Sequence, residues 1–150
     1  MPKNTHINLA HGRPGKYSQL LEKISKAGVC PFCVKNLKLY HKKPILKKTN
    51  NWLLTTNQNP YQGLKSHWLL INNKHLTKLS DLKPADWLDL ERLLKWLENK
   101  YTIPGGAFFI RFGDTNYTGA SVTHLHAHLV FGGKRTKNKK ENTTRLGYYK

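Results

Sequence analysis

Three histidines stand at strict period two in the stretch Ser121-Val-Thr-His-Leu-His-Ala-His-Leu-Val-Phe131: His124, His126 and His128. Alternate side chains of a β-strand share a face. This spacing therefore aligns the three imidazoles on one side and turns Leu125, Ala127 and Leu129 toward a core. The rise per residue sets neighbouring rings roughly 6.5–7 Å apart. Three protonatable rings make poor core filling. They suit metal ligation, or nucleophilic and acid–base chemistry on a phosphate or acyl group. A second chemical signal is Cys30-Pro-Phe-Cys33, which holds both cysteines of the chain. Two thiols two residues apart in a turn clamp a soft or borderline metal. A redox pair is the alternative, but no thioredoxin-like strand and helix surround it.

The elements that must position these groups are readable in outline. Tyr17, Leu20, Leu21 and Ile24 fall at helical spacing before Gly28, which predicts an amphipathic helix over 16–27. Residues 1–15 read as irregular. Short strands are predicted at Lys38–Tyr40, Ile45–Lys48 and Trp52–Thr56, then a turn-rich loop over 57–63 and a buried strand over Ser66–Ile71. Leu76–Leu82 reads as a short helical turn. Pro84 opens the main helix, with Asp86 in its first turn. Trp87, Leu90, Leu94, Leu97 and Tyr101 make its core stripe, widened by Leu93. Pro104-Gly105-Gly106 stops it. Ala107–Phe112 is a strand, and Val122–Phe131 is the histidine strand. Strands and helices alternate without βαβ regularity, which predicts an α+β domain on a mostly antiparallel sheet.

The chain has 150 residues, enough for one domain with a real core, and 38% of them are hydrophobic. No apolar run approaches the roughly 20 residues of a membrane span. The N-terminal stretch lacks an apolar signal region, so a cytoplasmic location is expected. Lys and Arg number 26 against 8 acids, a formal charge of +18, which favours anionic partners. Frequent surface lysine would give the same total, because composition does not locate a patch. The tail from Gly132 concentrates cations such as Lys134, Arg135, Lys137, Lys139 and Lys140 against the single acid Glu141. Its composition predicts a solvated tail, weakly ordered over its first half, with contact to a phosphate as the alternative.

The stretch His124-Leu-His-Ala-His-Leu-Val130 resembles the histidine-triad (HIT) family, whose pattern is His-φ-His-φ-His-φ-φ with φ apolar. Gly119-Ala-Ser-Val122 stands where that family carries a phosphate loop, and His67-Trp-Leu-Leu-Ile71 with Lys74-His75 after it is similar to its central strand and exit. The resemblance runs over 29–133, with an N-terminal segment and helix over 1–28 and a basic tail over 134–150. It implies a HIT-like fold: an antiparallel sheet of about five strands, one long helix and one or two short ones. It also implies a nucleotidyl hydrolase or transferase in which His126 attacks the α-phosphorus of a nucleoside phosphate, most simply a purine one, and forms a nucleotidyl-histidine. His128 would touch the phosphate, and His67 would support it or touch the phosphate itself. Ser121 and Gly119 would hold non-bridging oxygens, with Arg111 as a further phosphate contact and Asn57 in the ribose loop. The Cys-x-x-Cys pair is similar to that of zinc-carrying members, which implies Cys30, Cys33, His75 and His124 as a closed, structural Zn2+ site. The family further implies a homodimer.

The chain departs from the family pattern at Asn72-Asn73, where Pro-Lys is usual, and at Lys65-Ser66 before His67. No Gln follows His128 where diadenosine-polyphosphate-cleaving members carry one, which favours phosphoramidates and AMP esters. Two other functions compete with this one. The triad could itself hold a catalytic metal. Alternatively, the +18 charge could serve a nucleic-acid-binding module, or an enzyme removing AMP from adenylated nucleic-acid ends, though no aromatic-interleaved basic motif is visible. His6, His11 and His41 carry no expected role.

Overall fold

Lys16–Ala27 forms helix α1, which buries Leu21 and Ile24. The helix ends where Gly28 takes φ 68°, a left-handed turn that costs a residue with a Cβ roughly 1–2 kcal/mol. The computed structural model describes residues 6–150, so residues 1–5 of the irregular N-terminal stretch lie outside the described part. After the cysteine turn, the carbonyl of Cys33 accepts from the amides of Asn36 and Leu37 and starts helix α2, Val34–Tyr40. Residues 38–40 are thus the last turn of a helix and not a strand. Leu37 packs against Leu53, Leu69 and Ile71 while Leu39 stays exposed. Three alternating residues carry too little signal to compete with that anchor and the Cys33 carbonyl.

The sheet has five strands: β1 (Ile45–Lys48), β2 (Trp52–Thr56), β3 (Ser66–Asn72), β4 (Ala107–Arg111) and β5 (His126–Phe131). They lie in the order β1-β2-β3-β5-β4, every neighbour antiparallel. With α1, α2 and the long helix α3 (Pro84–Lys100), this is the expected α+β architecture. One sheet face sends Trp52, Leu54, Trp68, Leu70 and Ala127 against Leu90, Leu93 and Leu97 of α3. The stripe of α3 is therefore centred on Leu90–Leu93–Leu97. Trp87 is 46% exposed, and the buried positions N-terminal to the stripe are Asp86 and Asp89. These carboxylates tolerate burial because each is bonded. Asp86 accepts from the Lys83 amide at 2.7 Å and from Asn72 Nδ2 at 3.2 Å, and Asp89 accepts from Asn51 and Arg92. The opposite sheet face carries α2, and α1 packs beside it on Ile7, Cys30 and Val122.

Two segments differ from expectation for the same reason. Within Leu76–Leu82 only Leu79–Asp81 makes a helical turn, a 3₁₀ one. The carbonyls of Leu76 and Thr77 accept instead from the amides of Leu125 and Gly113, which removes them from any helix. The histidine strand begins at His126 and not at Val122. Residues 121–125 pair elsewhere: Val122 bridges Ile7, the Thr123 amide donates to His6, and the Leu125 carbonyl accepts from Asn72.

Candidate active site

His126 and His128 leave β5 on the face opposite Ala127, and both line a cavity of about 380 Å³. Their ring centroids are 4.9 Å apart, closer than the strand rise implies, because each ring is tilted by its own partners. His126 Nδ1 donates to the carbonyl of His124 at 2.6 Å. That bond fixes the tautomer and leaves the lone pair on Nε2. Burial pushes the His126 imidazolium down to a pKa of about 4, with the nearby Arg111 charge adding to the effect, so the ring is neutral at pH 7.

His128 belongs to a longer chain of bonds. The Tyr61 amide donates to His67 Nδ1 at 3.3 Å, so the His67 proton sits on Nε2. His67 Nε2 donates to His128 Nδ1 at 2.8 Å, which leaves His128 with its own proton on Nε2. That Nε2–H is buried and has no hydrogen-bond partner among the described residues. His128 is held flat between Phe109, stacked at 4.7 Å, and Tyr61, stacked at 6.0 Å. His67 does not reach the cavity and acts on it only through His128. Burial, then the charges of Arg13, His126 and Arg111, lower its pKa to about 4.

The other expected residues converge on the same cavity. Asn57 lines it, but its Nδ2 lies against the His67 ring and its Oδ1 accepts from the Asn59 amide. Ser121 lines it with Oγ bonded to the Tyr17 hydroxyl. Arg111 lies directly across from His126 in the β4–β5 register and donates to the Tyr61 hydroxyl at 3.1 Å. Gly119 borders the cavity and packs against the backbone of Arg145. Sequence reasoning missed Arg13, Tyr17, Tyr61 and Phe32, which complete the walls. Tyr17 and Leu20 were legible as a helix face, but not as a face turned toward the histidines. His11 and His41 also line the cavity. His11 Nδ1 donates to the Ala120 carbonyl at 2.7 Å and so steadies the loop that carries Ser121.

His124 faces elsewhere. Its Nε2–H donates to the carbonyl of Asn72 at 2.7 Å, leaving Nδ1 as a free ligand atom. Around it, Cys30 Sγ lies at 3.4 Å, Cys33 Sγ at 3.9 Å and His75 Nδ1 at 3.2 Å. The four ligand atoms lie within 4.8 Å of one another. A tetrahedron with bonds of 2.0–2.3 Å has edges of roughly 3.3–3.8 Å, so the donor set fits a zinc ion. Without a cation, burial pushes the Cys30 thiol up to about 12; a bound metal would reverse that by holding the thiolate. The triad itself does not converge on a metal. Among the described residues, the one group with metal-ligand geometry is Cys30, Cys33, His75 and His124. Also among them, no helix is long and apolar enough to cross a membrane.

The HIT domain profile matches residues 41–135. No curated protein matches the chain. Among solved structures, the chain is similar to a HIT family hydrolase from Clostridium thermocellum, with 23% identity over 73% of this chain and 95% of that one and a TM-score of 0.54. It is similar to a Zn-bound histidine triad family protein from Mycobacterium smegmatis, with 19% identity over 78% and 81% and a TM-score of 0.54. A diadenosine triphosphate hydrolase from Plasmodium falciparum is 22% identical over 63% and 62%, with a TM-score of 0.50. At these identities the structural likeness speaks for the fold. The profile covers more than half of the chain and includes all three histidines of the triad, and on that ground the protein belongs to the HIT domain family.

Proposed function

We propose that this protein is an enzyme of the HIT type: a nucleotide hydrolase or nucleotidyl transferase that acts on a purine nucleoside phosphate ester, anhydride or phosphoramidate. The observation that carries the reading is the 2.6 Å bond from His126 Nδ1 to the His124 carbonyl, which leaves a neutral Nε2 lone pair at a cavity of nucleotide size. In the first step the Nε2–phosphorus bond forms and the bond from phosphorus to the leaving group breaks. The His128 Nε2–H, kept on the cavity side because His67 donates to His128 Nδ1, donates a hydrogen bond to the phosphate oxygens, and the leaving group departs with a proton taken from water. A buried donor left unpaired costs about 1–3 kcal/mol, which an acceptor on the substrate would recover. In the second step water attacks phosphorus, the phosphorus–Nε2 bond breaks and restores neutral His126, and the proton of the attacking water passes to solvent.

Arg111, Ser121 and the Gly119 loop line the phosphate end of the cavity, Asn57 the ribose region, and Leu20, Ile24 and Phe32 offer apolar surface for a base. Zn2+ on Cys30, Cys33, His75 and His124 would brace the segment leading into β5, and with four protein ligands it leaves no place for a reacting water. The assembly is proposed as a homodimer, which light scattering would report as twice the 17.3 kDa chain.

The test is intact mass spectrometry after rapid, acid-free quenching with an adenosine phosphoramidate. The wild type should gain the mass of one AMP and His126→Ala should not. Turnover without any adduct, abolished by a chelator, would sink the reading in favour of metal catalysis.

One observation favours a second reading, an enzyme or module acting on nucleic-acid ends. Lys65, Lys134, Arg135, Lys137 and Lys139 line a groove that shares Arg13, Tyr61 and Thr143 with the cavity. If a single strand lies there, affinity for an oligonucleotide should fall with salt at a slope of about −0.7 per phosphate contacted. A flat salt response would leave those lysines as solvated surface.

A further inference from the structure

The HIT domain profile ends at residue 135, yet residues beyond that point help to close the cavity. Thr143, Thr144 and Arg145 form part of its wall, beside His126, His128 and Arg111. The segment 142–148 is fastened along the mouth at successive points. Asn142 Nδ2 donates to the Gln62 carbonyl at 2.9 Å. Arg111 Nη2 donates to Thr144 Oγ1 at 2.9 Å and to the Arg145 carbonyl at 2.5 Å. Tyr148 donates its hydroxyl to His11 Nε2 at 2.8 Å, and His11 through Nδ1 holds the Ala120 carbonyl.

Gly119 supplies an independent sign that this surface is shaped for the segment. A Cβ there would stand 2.6 Å from Arg145 Cβ and 2.7 Å from the Arg145 carbonyl oxygen, so only glycine allows the approach. These contacts are polar, and residues 142–148 are themselves exposed. Such a segment is held in place without being locked, and belongs to the low-stability end of a fold.

We propose that residues 142–148 are a strap that closes over the bound nucleotide, with Thr144 and the Arg145 backbone positioning Arg111 and the Arg145 side chain adding a second cation at the phosphate end. Arg111 sits on β4 directly across from His126, so its guanidinium must be aimed for a phosphate on His126 to meet it. Tyr61 holds Nη1, and among the described residues the strap alone holds Nη2. The remaining guanidinium nitrogen, Nε, is buried and has no hydrogen-bond partner among the described residues. The strap therefore sets the one end of the guanidinium that the domain proper leaves loose. This inference rests on the nucleotide reading above.

Hydrogen exchange of the full chain, read by mass spectrometry with and without AMP, separates the two ideas. Amides of 142–148 should exchange at least about threefold more slowly with AMP, while those of 134–140 stay unchanged. Thr144→Val should lose that protection and raise KM for an adenosine phosphoramidate more than it lowers kcat. If calorimetry finds AMP bound and the strap amides exchange at the same or a faster rate, the strap is overturned and the nucleotide reading stands. If AMP does not bind at all, both fall.

Discussion

At the scale of single residues, the site depends on which nitrogen carries each proton. The triad hands its three rings to three different tasks: His124 points Nδ1 at the cysteines, His126 points Nε2 at the cavity, and His128 takes its tautomer from His67. His67 therefore tests the relay without touching substrate. Its pKa lies near 4 in the fold against 6.5 unfolded, because burial disfavours the charged ring. A depressed histidine contributes stability that is fully present above about pH 6.5 and is lost as pH falls toward about 4, since the unfolded chain binds the proton first. His67→Phe should remove its share of that slope, up to about 1.4 kcal/mol per pH unit, in urea midpoints compared at pH 7.5 and 5. Equal slopes for wild type and variant would mean that His67 is not held neutral. The triad and Cys30-x-x-Cys33 were legible from residue type and spacing. The tautomers were not, because Tyr61, His67 and the carbonyl of Asn72 reach the rings only through the folded chain.

Among the elements, β3 and the start of α3 do the positioning. Asn72 ends β3 fully buried, where the family's usual pattern has proline. Its side chain donates to Asp86 at the first turn of α3, and its carbonyl receives His124. One carboxylate thus ties the amide of Lys83, the end of a central strand and, through it, the ring at the cysteine cluster. Asp86→Ala strips the bond to the Lys83 amide and leaves the Asn72 amide group unpaired, so it should destabilise by about 1–3 kcal/mol. Urea denaturation at pH 7.5 reads this directly, and an unchanged midpoint would remove Asp86 from the positioning chain. Helix α3 was visible in its periodicity, yet the stripe is shifted from Trp87 toward Leu93. Periodicity finds a face but does not say which edge of it a sheet will cover.

On the scale of the whole molecule, two layers meet at β5. Its apolar side chains close the core under α3, and its histidines face the cavity roofed by α1 and the C-terminal segment. The cysteine cluster ties the turn before α2 to the chain entering β5, a sequence separation of 94 residues between Cys30 and His124. If zinc occupies it, elemental analysis should find about one ion per chain and none in Cys30→Ala. Chelation should lower Tm by about 5–10 °C, as expected for losing a tight ligand from a domain of this size. Zinc retained by Cys30→Ala would place the metal elsewhere.

The sequence by itself determined the chemical inventory: three histidines at period two, two cysteines at metal spacing, the long helix and the chain positions of most strands. These are local properties, carried by spacing and propensity over a few residues. The tertiary structure alone decided that residues 38–40 are helical, that β5 starts at His126, and that His67 bonds to His128. It also decided that a tail read as solvated runs across Arg111. Each of these depends on a partner far away in sequence, 61 residues for His67 with His128 and 34 for Arg111 with Arg145. No local pattern encodes such a pairing, because only burial of the shared core brings the partners within bonding distance.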